Sequence, residues 1–122
     1  LREDYWKHLS EVIIMMYHTA KLYSDMGKNV LIDGILVERK EIAPHYQHLL
    51  EIMKDTPIDL VEVYCPLEIC RQRNILRGDR YENQSNEQAQ LMAKDIAYKL
   101  RVDTSQRSAE ECAEMIVREL MR

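Results

Sequence analysis

The chain has 122 residues, of which 46% are hydrophobic, and a formal net charge of -4. This size and apolar content suit a folded domain with one core and exclude intrinsic disorder. The acidic balance argues against binding nucleic acid through charge alone, and the apolar runs are too short to cross a bilayer. The three cysteines lack disulfide-framework or zinc spacing, and no signal-peptide pattern opens the chain, so we expect a cytoplasmic protein.

The first half of the chain predicts two helices separated by a strand. Apolar side chains recur every three or four positions over residues 2–26, the spacing of one helix face, and Gly27 follows as a stop signal. Residues 44–54 repeat this helical pattern. Between them, the run NVLID at 29–33 is short and apolar and is followed by Gly34, which is typical of a buried parallel strand.

The next segment combines an apolar strand with a basic helix. We predict a strand over 60–64, a helix that begins at Pro66 and a turn at Gly78. If the helix continues far enough, three arginines share one of its faces, and a guanidinium group can hold two oxygens of one phosphate. A solvated basic face is the alternative interpretation. The three are Arg73, Arg77 and Arg80.

The last third of the chain continues the alternation of helices and strands. We predict a helix over 86–97 capped by Ser85, a strand over 100–103, and a final helix after the capping box of Ser108 and Glu111. Strands separated by helices indicate an α/β domain with a parallel sheet. No repeat or linker divides the sequence, so we expect one domain.

Polar side chains follow each of the three predicted strands. Asp33 ends the first, Cys65 and the arginine helix follow the second, and residues 103–105 close the third. In open parallel sheets the ligand site lies beyond the carboxyl ends of the strands. We therefore expect these features to converge on one edge of the sheet.

Four segments in this order resemble a known family. They are VLIDG at 30–34, VEVYCPLEICRQRNILRGDR at 61–80, NEQAQ at 86–90 and YKLRVDTSQRSAEECAEMIVREL at 98–120. Together they resemble the later part of the chloramphenicol phosphotransferase-like kinases. The resemblance implies a three-layer parallel sheet of P-loop kinase type. It also implies transfer of the γ-phosphate of ATP, with Mg²⁺, to a hydroxyl of a small molecule.

The resemblance also implies roles for the basic residues. A lid over the nucleotide would cover about residues 77–88, with Arg77 and Arg80 as catalytic groups that contact the ATP phosphates or the adenine face. Fixed arginines at the phosphoryl oxygens stabilise the charge that develops there during transfer. Arg73 would support them within the nucleotide site.

Three further residues receive roles in the same way. Asp33 would be catalytic, near magnesium, a bound water or the substrate hydroxyl, and no residue is assigned as a dedicated metal ligand. Thr104 and Ser105 would line the nucleotide site in the loop that passes the adenine ring. The alternatives are that Asp33 caps the turn at Gly34 and that Thr104 and Ser105 only stabilise a turn.

The sequence departs from the family where phosphate binding would be expected. No G-x-x-x-x-G-K-[ST] motif occurs in it. We expect residues 1–122 to be the later two-thirds of a kinase domain, preceded by about 50 to 70 residues that carry the first strand and the phosphate loop. Exchange of elements between two copies, as in a homodimer, is another option. Gly34 and Ala93 replace family residues, so the acceptor stays open, and a non-catalytic α/β interaction module remains the alternative.

Overall fold

The computed structural model describes residues 3–36, 44–78 and 95–121. They divide into two compact units, the first unit with residues 3–36, 44–58 and 95–96, and the second unit with residues 59–78 and 97–121. None of the helices in these ranges combines the length and apolarity that a bilayer crossing requires. The elements are α1 (Glu3–Asp25), α2 (His45–Ile52), β1 (Val61–Tyr64), α3 (Leu67–Arg77), β2 (Leu100–Asp103) and α4 (Ala109–Leu120).

The first unit is built from the two predicted helices, which pack through one face each. The two helices run in the same direction, because Ser10 contacts His45 near one end and Lys21 contacts Thr56 near the other. Burial on α1 follows helical spacing at Ser10, Tyr17 and Ala20. Most apolar positions from which the helix was predicted are exposed instead, namely Tyr5, Val12, Met16 and Tyr23. The buried apolar residues of this unit are Tyr17, Ala20, Leu49 and Met53.

The end of α1 is fixed by Gly27, as predicted. Gly27 has a φ of +81°, in the left-handed region that glycine occupies without steric cost. The Lys28 amide donates to the Tyr23 carbonyl at 3.0 Å, and the Gly27 amide donates to the Ser24 carbonyl at 2.9 Å. This pair of bonds is a Schellman motif, which satisfies carbonyls that the helix leaves unpaired.

Gly27→Ala should destabilise the protein by about 1 kcal/mol, because an L residue is strained at this φ although nothing lies within 4 Å of the added Cβ. Gly34→Ala is the matched control, since Gly34 has equally open space and no left-handed φ. Urea unfolding of both variants measures the difference. Equal stability of the two variants would contradict this interpretation.

His45, the first residue of α2, is buried with 1% of its surface exposed. Its Nε2 lies 2.9 Å from the Ser10 hydroxyl oxygen. Its Nδ1 is buried and has no hydrogen-bond partner among the described residues. Burial lowers the pKa of His45, and the charge of neighbouring His48 lowers this pKa further.

This environment predicts a loss of stability in mild acid. The unfolded chain binds a proton at His45 more readily than the folded chain does, so stability should fall as the pH drops below about 6.5 and continue to fall through the lower, folded pKa. Urea midpoints at several pH values measure the slope. The slope should flatten in His45→Gln and persist in His8→Gln, whose side chain is 70% exposed. Equal slopes of stability against pH in the two variants would contradict this prediction.

Residues 29–33 do not form the predicted strand. The segment 28–36 belongs to the first unit and contains no strand, and Leu31 is 88% exposed. A strand needs a hydrogen-bonded neighbour, and the sheet among the described residues contains β1 and β2 only. Apolar composition alone therefore led to the wrong prediction here.

The second unit confirms the α/β class with a small parallel sheet. β1 pairs with β2 in parallel, with Val61 opposite Leu100 and Tyr64 opposite Asp103. Val102 on β2 is 1% exposed, whereas Val63 opposite it on β1 is 67% exposed, so the burial of this face is centred on β2. The sequence pattern suggested apolar strands, but the strands are not uniformly apolar. They alternate, and one face carries the ion pair of Glu62 and Arg101 at 2.7 Å with the Arg101 guanidinium stacked on the ring of Tyr64.

The predicted C-terminal helix is confirmed together with its cap. The Ser108 hydroxyl accepts from the Glu111 amide at 3.1 Å, and the Ser108 amide donates to the Glu111 carboxylate at 3.1 Å. These bonds complete a capping box and lower the pKa of Glu111. The predicted helix over 86–97 lies outside the described residues except at its end, where residues 95–97 are not helical.

Candidate functional site

The site is built on α3, which follows β1 directly. The helix begins directly after Pro66, so it starts one residue later than predicted. Gly78 ends α3 with a φ of +71°, as its place in the sequence indicated. Arg73 and Arg77 both lie on α3, four residues apart, and Arg77 is in its last turn. Because residues four apart on a helix are neighbours, Arg73 and Arg77 share the predicted basic face. The helix ends at Arg77, so the condition under which Arg80 would join this face is not met.

Arg73 joins α3 to the loop after β2. Its guanidinium donates to the Thr104 hydroxyl at 2.8 Å and to the Thr104 carbonyl oxygen at 2.8 Å. This double contact uses the planar fork of arginine, which a lysine could not reproduce. We call this pair of contacts the Arg73–Thr104 latch.

Thr104 is in turn bound to the end of the neighbouring strand. Its amide donates to the Tyr64 carbonyl at 2.9 Å and its hydroxyl donates to the same oxygen at 3.2 Å. The last residue of β1, the loop after β2 and the middle of α3 therefore meet at one hydroxyl group. The carboxyl edge of the two strands is held together by three elements rather than by the sheet alone.

Ser105 is bound within its own turn. Its amide and its hydroxyl donate to one carboxylate oxygen of Asp103, at 2.9 Å and 2.6 Å. These two bonds lower the pKa of Asp103, and the positive charges of Arg101 and Arg73 lower it further. Asp103 is therefore ionised at neutral pH and fixes the loop in which Thr104 sits. A carboxylate two residues before a serine is a turn signal, and the sequence interpretation missed it.

The structure brings together three of the predicted site residues. Arg73, Thr104 and Ser105 lie in the second unit around the carboxyl ends of β1 and β2. The turn interpretation of Thr104 and Ser105 is compatible with their contacts, because both are hydrogen-bonded to the protein itself. Their role toward a nucleotide stays a prediction.

The structure does not bring the other predicted site residues together with these three. Asp33 is exposed, lies in the first unit and does not follow a strand. Its expected convergence with the arginine helix therefore stays a prediction. Arg80 and the lid residues beyond Gly78 lie outside the described residues. Among the residues that the structure does describe, no three His, Cys, Asp or Glu side chains cluster as a metal site would require.

Comparison with known proteins tests the resemblance directly. The family model described as chloramphenicol phosphotransferase-like protein matches residues 5–121. Comparisons with curated proteins and with solved structures gave no match. Since the family match extends over nearly the whole sequence, through both units, the resemblance stated from the four segments is confirmed. The chain belongs to the chloramphenicol phosphotransferase-like protein family.

Proposed function

We propose that this chain is part of a P-loop kinase that transfers the γ-phosphate of ATP, with Mg²⁺, to a hydroxyl of a small molecule. Family membership supports a kinase-like phosphotransferase at the level of the family. The nucleotide, the metal and the hydroxyl acceptor belong to the proposal. The acceptor is left as a class, because Gly34 departs from the family pattern next to the proposed catalytic Asp33.

The observation that carries the proposal is the Arg73–Thr104 latch. It fixes a basic helix against the carboxyl edge of a parallel strand pair, which is where α/β proteins bind phosphate-bearing ligands. A helix that only displayed charge to solvent would not need a doubly bonded arginine at its centre. We infer that Arg73 is a positioning residue that holds the helix on which Arg77 is carried.

Arg77 and Arg80 are the proposed catalytic arginines, at the start of a lid over about residues 77–88. Their cations would meet the negative charge that builds on the phosphoryl oxygens, a purely electrostatic contribution that needs no covalent step. Gly78 lies between them with a left-handed φ, so the chain turns sharply where the lid begins.

The described residues can supply part of a nucleotide site with bound metal. Thr104 and Ser105 belong to a rigid loop that could border the base, and Asp33 offers one exposed carboxylate. Mg²⁺ in phosphoryl-transfer sites is held by one or two carboxylates together with phosphate oxygens, so a cluster of three protein ligands is not required. ATP with Mg²⁺ would contribute the transferable phosphoryl group.

We further propose that residues 1–122 form the later part of a three-layer P-loop domain. The sequence lacks the lysine-bearing phosphate loop, and the apolar segment 28–36 is exposed and unpaired among the described residues. Preceding residues, or a second copy in a homodimer, would cover this exposed apolar segment. Intact-mass measurement of the natural protein separates the two, because a mass equal to that of these residues excludes the preceding segment.

The experiment that tests the proposed function is thermal unfolding of the natural protein with ATP and Mg²⁺. A nucleotide that binds only the folded state stabilises it by about 2.7 kcal/mol at one hundred times its dissociation constant. We expect ATP with Mg²⁺ to raise the melting temperature more than adenosine does. No stabilisation at millimolar nucleotide would favour the non-catalytic interaction module, for which the absence of a phosphate loop is the supporting feature.

A further inference from the structure

Two of the three cysteines lie together at the junction of β1 and α3. Cys65 follows the last residue of β1, and Cys70 lies in the first turns of α3. The Cys70 sulfur is 3.6 Å from the Cys65 carbonyl oxygen, and the neighbouring Cys65 side chain raises the pKa of Cys70. Both residues are half-buried rather than enclosed in the core.

We propose that Cys65 and Cys70 form a reversible redox pair that closes to an intramolecular disulfide across the start of α3. Their geometry favours this, because the Cys70 sulfur already lies beside the Cys65 main chain, so the pair needs no rearrangement over a long distance to join. The sequence spacing alone did not indicate it, because four residues lie between the two cysteines, whereas the redox motif C-x-x-C has two.

The oxidant is a low-molecular-weight disulfide such as oxidised glutathione. Burial and the neighbouring Cys65 thiol raise the pKa of Cys70, so Cys70 is the poorer first nucleophile. The Cys65 thiolate attacks glutathione disulfide and releases one glutathione thiolate. Cys70, after losing its proton, then attacks the sulfur of Cys65 in this mixed disulfide and releases the second glutathione. One sulfur–sulfur bond forms and one breaks, and the two protons leave with the two reduced glutathione molecules.

The disulfide would tie the end of β1 covalently to the helix that carries Arg73. In the reduced protein α3 is joined to the neighbouring loop by the Arg73–Thr104 latch. Oxidation would add a second tether in the first turn of the same helix, three residues before Arg73. This proposal does not depend on the kinase assignment, because its test measures only the state of the thiols.

The test equilibrates the whole protein in buffers of reduced and oxidised glutathione, then blocks free thiols with an alkylating reagent and maps the peptides. We expect Cys65 and Cys70 to escape alkylation because they are joined in a disulfide. The protein should then be lighter than its fully reduced form by two hydrogens. The internal disulfide should exceed the glutathione adduct by about tenfold, because a neighbouring thiol on the same chain has a high effective concentration. Dithiothreitol should restore all three thiols.

Cys112→Ser is the matched control. Cys112 is buried on α4, where its sulfur lies 4.0 Å from the Asp103 carbonyl oxygen, and its loss should leave the disulfide unchanged. Cys65→Ser and Cys70→Ser should each abolish the disulfide, and the mapped wild-type protein decides the question if either variant fails to fold. Three alkylated thiols, a disulfide that includes Cys112, or a glutathione adduct as the main product would overturn the proposal.

Discussion

Replacing Arg77 or Arg80 by alanine should lower the turnover of phosphoryl transfer by about 10²-fold or more, the range seen when one donor to a developing oxyanion is lost. The reason is electrostatic: each guanidinium would neutralise charge that is larger in the transition state than in bound ATP. The binding of substrate should therefore change less than kcat does. Steady-state rates of the natural protein, measured with a small-molecule hydroxyl acceptor, give both quantities.

Arg118→Ala is the control for Arg77→Ala. Both arginines lie in the last turn of a helix of the second unit and are exposed, so they share local charge and helix position. They differ in that α3 leads to the proposed lid and α4 does not. Equal rates for the two variants would mean that Arg77 is ordinary surface charge.

Arg73→Ala should lower turnover by about tenfold to a hundredfold without contact between Arg73 and the reacting atoms, because it releases the helix that carries Arg77. A displacement of about 1 Å in a positioned group can cost that much. Arg73→Lys should rescue little, since a point charge cannot donate in the fork geometry that reaches both Thr104 oxygens. Stability should change only modestly, by about 1 kcal/mol, because the side chain is exposed.

A double-mutant cycle separates this positioning role from direct ligand binding. Thr104→Val removes the hydroxyl that Arg73 contacts but retains the backbone carbonyl. If the latch is the functional unit, the combined variant should lose less activity than the two single variants predict by addition. Strictly additive losses would show that the two side chains act independently and would remove the latch from the account.

The helix ends could be predicted from the sequence because their causes are local. Gly27 and Gly78 each supply a left-handed φ, and the capping box of Ser108 and Glu111 spans only one turn. The strands β1 and β2 were predicted from their composition and did form, since each has the other as a partner. Residues 29–33 are comparably apolar but have no partner in the described sheet. Pairing, which composition does not specify, made the difference.

The candidate site was predictable residue by residue but not in its connections. Arg73 and Thr104 were each expected from the family resemblance, whereas their mutual contact joins residues 31 positions apart. Helical spacing gives the face on which an arginine lies and does not identify the loop that it meets. Asp103 was correctly predicted as the end of a strand at the edge of the site, but its second role, as the acceptor of both Ser105 hydrogen bonds, was not predicted.

The central claim is that the basic helix after β1 recognises phosphate, and calorimetric titration of the natural protein with ATP and with adenosine tests it most directly. The account predicts that Arg77→Ala weakens ATP binding by about tenfold or more, the loss of one charge-assisted contact, and leaves adenosine binding unchanged. Equal affinity of the variant and the wild-type protein for ATP would contradict it, as would an equal loss for both ligands.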